Sequence, residues 1–215
     1  NTGEVFWDLA VLDDDKIIHV GFADDGNDKD VLVAKFLADG TPDSSFATNG
    51  VLTVDMSLGL DEEARGVYEM NDGKLLVTGY VVDAINQSYD AFLMRLNADG
   101  SVDNTFGTTA SGRTHFNAGD NLIAYGRSIV TVGTEIYVGG SCLSGGQADM
   151  FLFNFTQGGA VDVSFSTAGS ALIDVDGDDD ELYAMEMTSN GNFVLAGISI
   201  NAGVQSAVVT TLSTF

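Results

Sequence analysis

The sequence predicts an all-β protein, a four-repeat β-propeller or propeller-like array of short antiparallel blades. Three observations support this fold class. Segments recur about every 60 residues, short apolar runs are bounded by Gly, Asn or Asp, and no window of helical length shows a 3.6-residue period. The 215 residues include 26 Gly and one Pro, a composition typical of short strands and turns. A hydrophobic content of 45% is enough to fill a core.

The repeat has three independent markers. The first is a glycine that ends an apolar run, with spacings of 58, 61 and 57 residues between Gly21, Gly79, Gly140 and Gly197. The second follows 9 to 11 residues later, where apolar segments start at Asp30, Asp90, Asp149 and Ser206. The third is an aspartate three residues before a phenylalanine, in the pairs Asp43 and Phe46, Asp103 and Phe106, and Asp162 and Phe165. We expect the aspartate to fix a turn by accepting backbone N–H groups and the phenylalanine to pack between blades.

The markers divide the chain into strands and repeats. Predicted strands include residues 75–78, 91–96, 150–155 and 193–196, with short linking strands at 51–54 and 171–174. The chain is predicted to be one repeat domain, residues 1–215, with repeats at about 1–50, 51–110, 111–170 and 171–215 and incomplete ends. Four repeats carry only three linking segments. Either the chain was cut from a longer array, or a neighbouring molecule donates the missing strand.

The charge balance argues against two classes of partner. With 32 acidic and 8 basic residues the formal charge is −24, which disfavours nucleic acid and anionic membranes as partners. No apolar stretch is long enough to predict a membrane span. Three interpretations of the acidity remain, namely solubility in salty surroundings, bound divalent cations and a cationic partner. Cys142 is the only cysteine, so no disulfide forms within the chain.

Part of the sequence resembles a known repeat family. Residues 71–79 (NDGKLLVTG), 90–97 (DAFLMRLN) and 99–107 (DGSVDNTFG) are similar to the delta-60 repeat, found in tandem in large exported bacterial proteins and regarded as propeller-forming. The later copies depart from this pattern, with Gln157-Gly-Gly in place of Ala-Asp-Gly and Val132-Gly-Thr in place of Asn-Asp-Gly. The resemblance implies an extracellular or cell-surface location in a bacterium and a structural or interaction role. It supplies no catalytic residue.

The densest acidic run, residues 174–181, is a candidate calcium site. Its candidate ligands are Asp174, Asp176, Asp178 and Asp179. The run is not an EF-hand, because Gly177 is at loop position four instead of six and Met185 is at position twelve instead of Glu. Calcium is the one cofactor that the sequence suggests. The alternative is a solvated acidic loop, and a second cluster at residues 24–30 has the same two interpretations.

A second candidate site lies early in the strand that follows each linking loop. The four repeats place there Trp7, Arg65, Arg127 and Tyr183. In a propeller the innermost strand faces the central channel, so two arginines and two aromatic rings near one mouth are suited to an anionic or sugar-like ligand. The alternative is ion pairing of the arginines with Asp61 or Asp120, together with aromatic packing.

Catalytic motifs are absent from the sequence. His19 and His115 occupy non-equivalent repeat positions, and no nucleophile elbow, zinc motif or phosphate loop occurs. The many carboxylates leave a glycosidase open, but no two are singled out. We therefore expect a non-catalytic structural or adhesion module that presents variable loops at 81–89, 141–148 and 200–205 to a protein or glycan surface. The alternatives are a carbohydrate- or peptide-binding propeller and a self-associating filament subunit assembled by strand donation.

Overall fold

A computed structural model of the chain describes residues 3–56, 59–83, 88–109, 111–118, 123–175, 177 and 179–213, which form four antiparallel sheets. The first sheet contains β1 (Glu4–Val11), β2 (Ile17–Asp24), β3 (Lys29–Phe36) and β4 (Val51–Val54). The second contains β5 (Glu62–Glu69), β6 (Leu75–Asp83), β7 (Ser88–Leu96) and β8 (Arg113–Phe116). The third contains β9 (Ala124–Val132), β10 (Glu135–Ser144), β11 (Gln147–Phe155) and β12 (Ser170–Ile173). The fourth contains β13 (Asp179–Met187), β14 (Phe193–Asn201) and β15 (Val204–Leu212).

Each sheet is a simple meander, because strands adjacent in sequence are also hydrogen-bonded neighbours. Four such sheets in succession confirm the predicted all-β, propeller-like array. The short strand β4 completes the first sheet by pairing with Val31–Ala34 of β3, although the sequence markers placed it at the start of the second repeat. Within the described ranges, no helix is long and apolar enough to cross a membrane.

The turns between the first two strands of each sheet follow from local chemistry. Between β5 and β6, the N–H of Gly73 donates to the carbonyl of Met70 at 2.8 Å, and Gly73 has a φ of 77°. This left-handed conformation is available to glycine without a steric cost. In the first sheet Asp15 takes the corresponding position at a φ of 62°, as short polar residues tolerate.

The glycine of the first repeat marker makes room for a β-bulge. Gly21, Gly79, Gly140 and Gly197 lie in the second strand of each sheet, where a Cβ atom would overlap a carbonyl oxygen of the first strand. In the second sheet that carbonyl belongs to Glu63, two residues before the bulged Arg65. The recurring glycine therefore exists because the first strand carries an extra residue there.

The core consists of three apolar layers, one between each pair of adjacent sheets. We name these contacts the first, second and third junctions. The first is filled by side chains such as Val20 and Phe92, the second by Leu93 and Phe155, and the third by Leu152. Because both faces of the central sheets are covered, their strands are apolar almost throughout.

The phenylalanine of the third repeat marker packs between sheets at the first and second junctions, as expected from the sequence. Asp103 Oδ1 accepts the N–H of Thr105 at 3.0 Å and directs Phe106 toward the third sheet, where a Cβ on Gly159 would press on the ring. Phe46 makes the same contact with Gly100 of the second sheet. Both rings are fully buried.

Candidate functional site

The four residues predicted to face the central channel share one structural feature. Each is the single extra residue of a β-bulge in the first strand of its sheet. The pairing with the second strand skips Trp7, Arg65, Arg127 and Tyr183. We call these four the bulge residues. A bulge re-aims a side chain out of the regular alternation of a strand.

The bulge residues line one cavity of about 350 Å³, which is bordered by all four first strands. Its rim contains two large exposed rings, since Trp7 is 49% and Tyr183 48% accessible. The structure therefore brings the four predicted ligand residues together, although they are spread over 176 residues of sequence.

A buried carboxylate organises the half of the cavity formed by the first two sheets. Glu63 Oε2 accepts hydrogen bonds from Arg65 Nη2 at 2.6 Å and Trp7 Nε1 at 3.1 Å, and Lys29 Nζ lies 2.8 Å from Oε1. Arg65 also stacks 4.0 Å from the centroid of the Trp7 ring. Burial acts to raise the pKa of Glu63, but hydrogen bonds from Lys29 and Tyr80 and the charge of Arg65 outweigh it and lower the pKa. Glu63 is thus an ionised anchor that fixes the neighbouring side chains.

The half formed by the third and fourth sheets repeats this arrangement in a more open form. Glu181 Oε2 accepts hydrogen bonds from Arg127 Nη2 at 3.1 Å and from the Tyr183 hydroxyl at 3.0 Å. Arg127 stacks 4.8 Å from the centroid of the Tyr183 ring. Burial lowers the pKa of Arg127, but an arginine remains charged. Its Nε–H is buried and has no hydrogen-bond partner among the described residues, so this donor is unused.

Between the two halves, an adjoining cavity of about 250 Å³ is lined by Arg65, Tyr80, Tyr125 and Arg127. The rings of Tyr80 and Tyr125 meet edge to face at 5.1 Å, and Tyr89 packs against both. Burial raises the pKa of Tyr80 and of Tyr125 above the ordinary tyrosine value, so both hydroxyls stay protonated. This part of the site is aromatic and cationic.

The predicted ion pairs of the arginines have different partners. Arg65 pairs with Glu63 and Arg127 with Glu181, whereas Asp61 Oδ1 accepts the backbone N–H of Lys29 at 3.1 Å. The other suggested partner, Asp120, lies outside the described residues. The arginines are therefore held by carboxylates of the first strands themselves, which sequence spacing did not indicate.

The four candidate calcium ligands of the acidic run do not act as one group. Asp176 and Asp178 lie outside the described residues. Asp179 Oδ1 accepts the backbone N–H of Ala148 at 2.9 Å, and Asp179 belongs to neither of the carboxylate groups of described residues that could hold a metal ion. Of the two described candidates, only Asp174 belongs to a group of three acidic residues that could hold a metal ion.

That group joins Asp174 to Asp149 and Asp180, and one carboxylate oxygen of each lies within 4.8 Å of the others. Sequence reasoning missed the other two members, although Asp149 belongs to the second repeat marker and Asp180 lies in the acidic run. Burial and the charges of Asp174 and Asp180 raise the pKa of Asp149, against a lowering by the hydrogen bond with Ser144. We call Asp149, Asp174 and Asp180 the acidic triad.

The positions that correspond to the acidic triad carry acids at the first junction, but only one acid at the second. The first junction groups Asp30, Asp55 and Glu62 in the same way. At the second junction the position of Glu62 is taken by Ala124, and Asn117 Nδ2 donates to Asp90 Oδ1 at 2.7 Å. A neutral amide donor thus satisfies the one carboxylate that remains there.

The other reactive residue types lie apart from the cavity lining. His19 packs between the rings of Phe6 and Phe36, at centroid distances of 5.0 and 5.6 Å. Burial lowers the pKa of His115, and Cys142 is buried. Of the predicted variable loops, residues 84–87 lie outside the described ranges. The loops predicted at 141–148 and 200–205 are mostly paired strand ends, and only residues 145–146 and 202–203 form turns between the second and third strands.

Comparison with known proteins supports the fold. A family model described as a beta-propeller domain of unknown function (DUF5122) matches residues 12–46 and 71–106, about a third of the chain. Both matched segments end at the phenylalanine of the third marker. This match supports the resemblance to propeller-type repeats without reaching the narrower delta-60 assignment. No curated protein matches the sequence.

A crystal structure of a protein of unknown function from Bacteroides caccae is similar in fold. The alignment has a TM-score of 0.52 and 11% sequence identity, and it covers 98% of this chain and 61% of the other. The chain therefore spans about three-fifths of the length of that protein. At this identity the similarity concerns the fold alone.

Proposed function

We propose that the chain is a non-catalytic carbohydrate-binding module of a bacterial cell-surface protein of the delta-60 type. The observation that carries this proposal is the convergence of the four bulge residues on one cavity of about 350 Å³. Bulges are frequent where a strand must re-aim a side chain at a binding site. Here four separate strands do so toward the same space.

The residue types in the cavity suit a sugar ring. Trp7 and Tyr183 each present an exposed aromatic ring, whose electron-rich face attracts the polarised C–H groups of a pyranose. Each ring is held by an arginine stacked on it and by a hydrogen bond to a carboxylate. The arginines bring further N–H donors for hydroxyl groups, as in binding sites where a few polar groups fix the orientation of a ligand.

Charge favours a neutral glycan over an acidic one. Within the cavity lining, Arg65 and Arg127 are accompanied by Asp8 and Glu186, and both arginines are paired with carboxylates. The chain as a whole carries a formal charge of −24, which repels polyanions at long range. We therefore propose neutral hexose or N-acetylhexosamine residues as ligands, with an adhesion role for the module on the cell surface.

The test uses the fact that Trp7 is the only tryptophan, so its fluorescence reports directly on the proposed site. A panel of neutral oligosaccharides is titrated into the wild-type chain while tryptophan emission is recorded. We expect a saturable change with at least one member, and the same affinity by calorimetry. Tyr183→Ala and Arg127→Gln should each weaken binding about tenfold, the effect of roughly 1.4 kcal/mol of lost contact energy.

The matched control is Leu172→Ala, a variant of another exposed residue on the outer strand β12, which should bind as the wild type does. Two results would contradict the proposal. One is the absence of binding across the panel; the other is binding by calorimetry that leaves Trp7 emission unchanged and survives both cavity substitutions. Turnover of a bound oligosaccharide would show a glycosidase instead of a binding module.

A further inference from the structure

The basic residues are unevenly distributed along the sequence. All eight Lys and Arg residues, and both His, occur at or before Arg127. The 88 residues after Arg127 contain ten Asp and Glu. None of the salt bridges between described residues reaches the acidic triad. The acidic triad therefore has no ion-pair partner among the described side chains.

The triad contains a carboxylate that is fully removed from water. Asp180 is 0% exposed. Its Oδ2 accepts the backbone N–H of Val175 at 2.7 Å, whereas its Oδ1 is buried and has no hydrogen-bond partner among the described residues. A buried carboxylate oxygen without a donor or a counter-charge is strongly unfavourable.

A second buried polar group lies beside it. Ser199 is 3% exposed, and its hydroxyl likewise has no partner within the described part of the chain. Ser199 is the direct cross-strand partner of Asp180 in the β13–β14 pair. Side chains at paired positions lie on the same face with Cβ atoms about 5 Å apart. Two unsatisfied buried oxygen groups thus meet where three carboxylates converge.

We propose that the third junction binds a calcium ion through Asp149, Asp174 and Asp180, with Ser199 as a further oxygen ligand. Ca²⁺ takes six to eight oxygen ligands at about 2.3–2.6 Å, so two ligands of one ion lie at most about 5 Å apart. The triad oxygens, all within 4.8 Å of one another, meet this limit. The set contains only hard oxygen donors, which Ca²⁺ prefers and softer transition metals do not.

The ion would connect two sheets. Asp149 belongs to β11 of the third sheet, Asp174 directly follows β12, and Asp180 lies in β13 of the fourth sheet. The second junction provides a comparison within the molecule, because Asn117 there supplies an N–H donor to Asp90 and Ala124 replaces the third acid. Where the extra carboxylates are absent, a hydrogen bond takes the place that the cation has at the third junction.

The experiment is calorimetric titration of CaCl₂ into the chelator-stripped wild-type chain at fixed ionic strength, with thermal unfolding in parallel. We expect saturable binding and a rise of several degrees in the unfolding midpoint. Asp180→Asn keeps an acceptor for the Val175 N–H but removes the charge. Asp180→Asn should remove one calcium site or lower its affinity at least tenfold. Ser199→Ala should lower the calcium affinity of the same site several-fold.

Two control variants separate this site from other acidic positions. Asp179→Asn, in the same acidic run, and Asp90→Asn, at the second junction, should both leave the calcium stoichiometry unchanged. Residual binding in Asp180→Asn that is removed by Glu62→Gln would assign a second ion to the first junction and leave the third-junction site established. No heat at millimolar CaCl₂, or a titration that Asp180→Asn does not alter although circular dichroism shows it folded, would overturn the proposal.

Discussion

Removal of the Phe106 ring should loosen the second junction. The ring is fully buried, the guanidinium carbon of Arg95 lies 4.4 Å from its centroid, and its other side is against the backbone of Gly159. Arg95 is in turn fixed by Asp103, with Nε to Oδ2 at 2.8 Å. The variant Phe106→Ala therefore removes a side chain whose surroundings cannot collapse easily, because glycine offers no side chain to fill the space.

The expected loss follows from burial. Full burial of a phenylalanine contributes about 1.5–3 kcal/mol through removal from water, and the cavity that remains raises the cost of Phe→Ala to about 3–5 kcal/mol. In a chain of this length, 1 kcal/mol corresponds to a shift of about 2–4 °C in the unfolding midpoint. A loss of about 3 kcal/mol thus predicts a decrease of roughly 6–12 °C, measured by circular dichroism together with urea unfolding.

Phe165 provides the matched control, because it has the same place in the repeat but only partial burial. Its ring meets Tyr137 edge to face at a centroid distance of 5.8 Å. We expect Phe165→Ala to cost less than half as much as Phe106→Ala, and Phe46→Ala to resemble Phe106→Ala. Equal losses at Phe106 and Phe165 would refute the reasoning that the extent of burial of the ring sets the cost of its removal.

Two further predictions concern the same turns. Gly40 and Gly159 have nearly equal φ angles of 83° and 84°, but a Cβ on Gly40 meets no described atom within 4 Å while one on Gly159 would lie 2.6 Å from ring atoms of Phe106. Gly159→Ala should therefore be less stable than Gly40→Ala by about 1–3 kcal/mol, the usual cost of overpacking, in urea unfolding; equal stabilities would contradict the packing argument. The second concerns Asp43, whose pKa is lowered to about 2, mainly by the hydrogen bond from the Ser45 hydroxyl. Because its folded pKa is lowered, the stability that its ionised form contributes is present above about pH 4 and is lost as the pH falls toward 2. The stability difference between wild type and Asp43→Asn should shrink over this interval, and a constant difference would show that the carboxylate charge is not responsible.

The sequence was sufficient for the fold because the repeat markers have local causes. The marker glycine at Gly79 is required by the backbone of the bulge, and Asp103 is required by the turn before Phe106. Such residues recur whatever the protein binds, so their period of about 60 residues reveals the architecture directly. The same local causes explain why the four bulge residues could be aligned before their common cavity was known.

The partners of those residues were harder to find. Glu63 and Glu181 were not singled out, because neither is distinctive in a sequence with 32 acidic residues. The calcium hypothesis concentrated on the acidic run for the same reason, since local density suggested a loop site. Asp149 is 25 residues before Asp174 in the chain, and only the pairing of β11 with β12 brings the two together. Contacts of this kind depend on strand register and on the packing between sheets, which spacing alone does not give.

One contact between the first strands of neighbouring sheets alternates from junction to junction. At the first junction Asp8 Oδ2 accepts the N–H of Val67 at 3.0 Å, and at the third Ser128 Oγ accepts the N–H of Met185 at 3.1 Å. Gly66 has the corresponding position at the second junction, where a Cβ would press on the backbone of Arg127. At this one position, a side chain connects the sheets at the first and third junctions, and close backbone contact connects them at the second.

The residues of the candidate sites also alternate from one sheet to the next. Glutamates precede the bulge by two residues in the second and fourth sheets, as the buried Glu63 and the partly exposed Glu181, whereas the first and third sheets have Val5 and Tyr125 there. Each acid reaches back across its junction to the bulge residue of the preceding sheet. The two carboxylate groups suited to a cation that the described residues form also lie at the first and third junctions. A single repeat therefore cannot form either site, because the cavity takes residues from all four sheets and each carboxylate group takes residues from two.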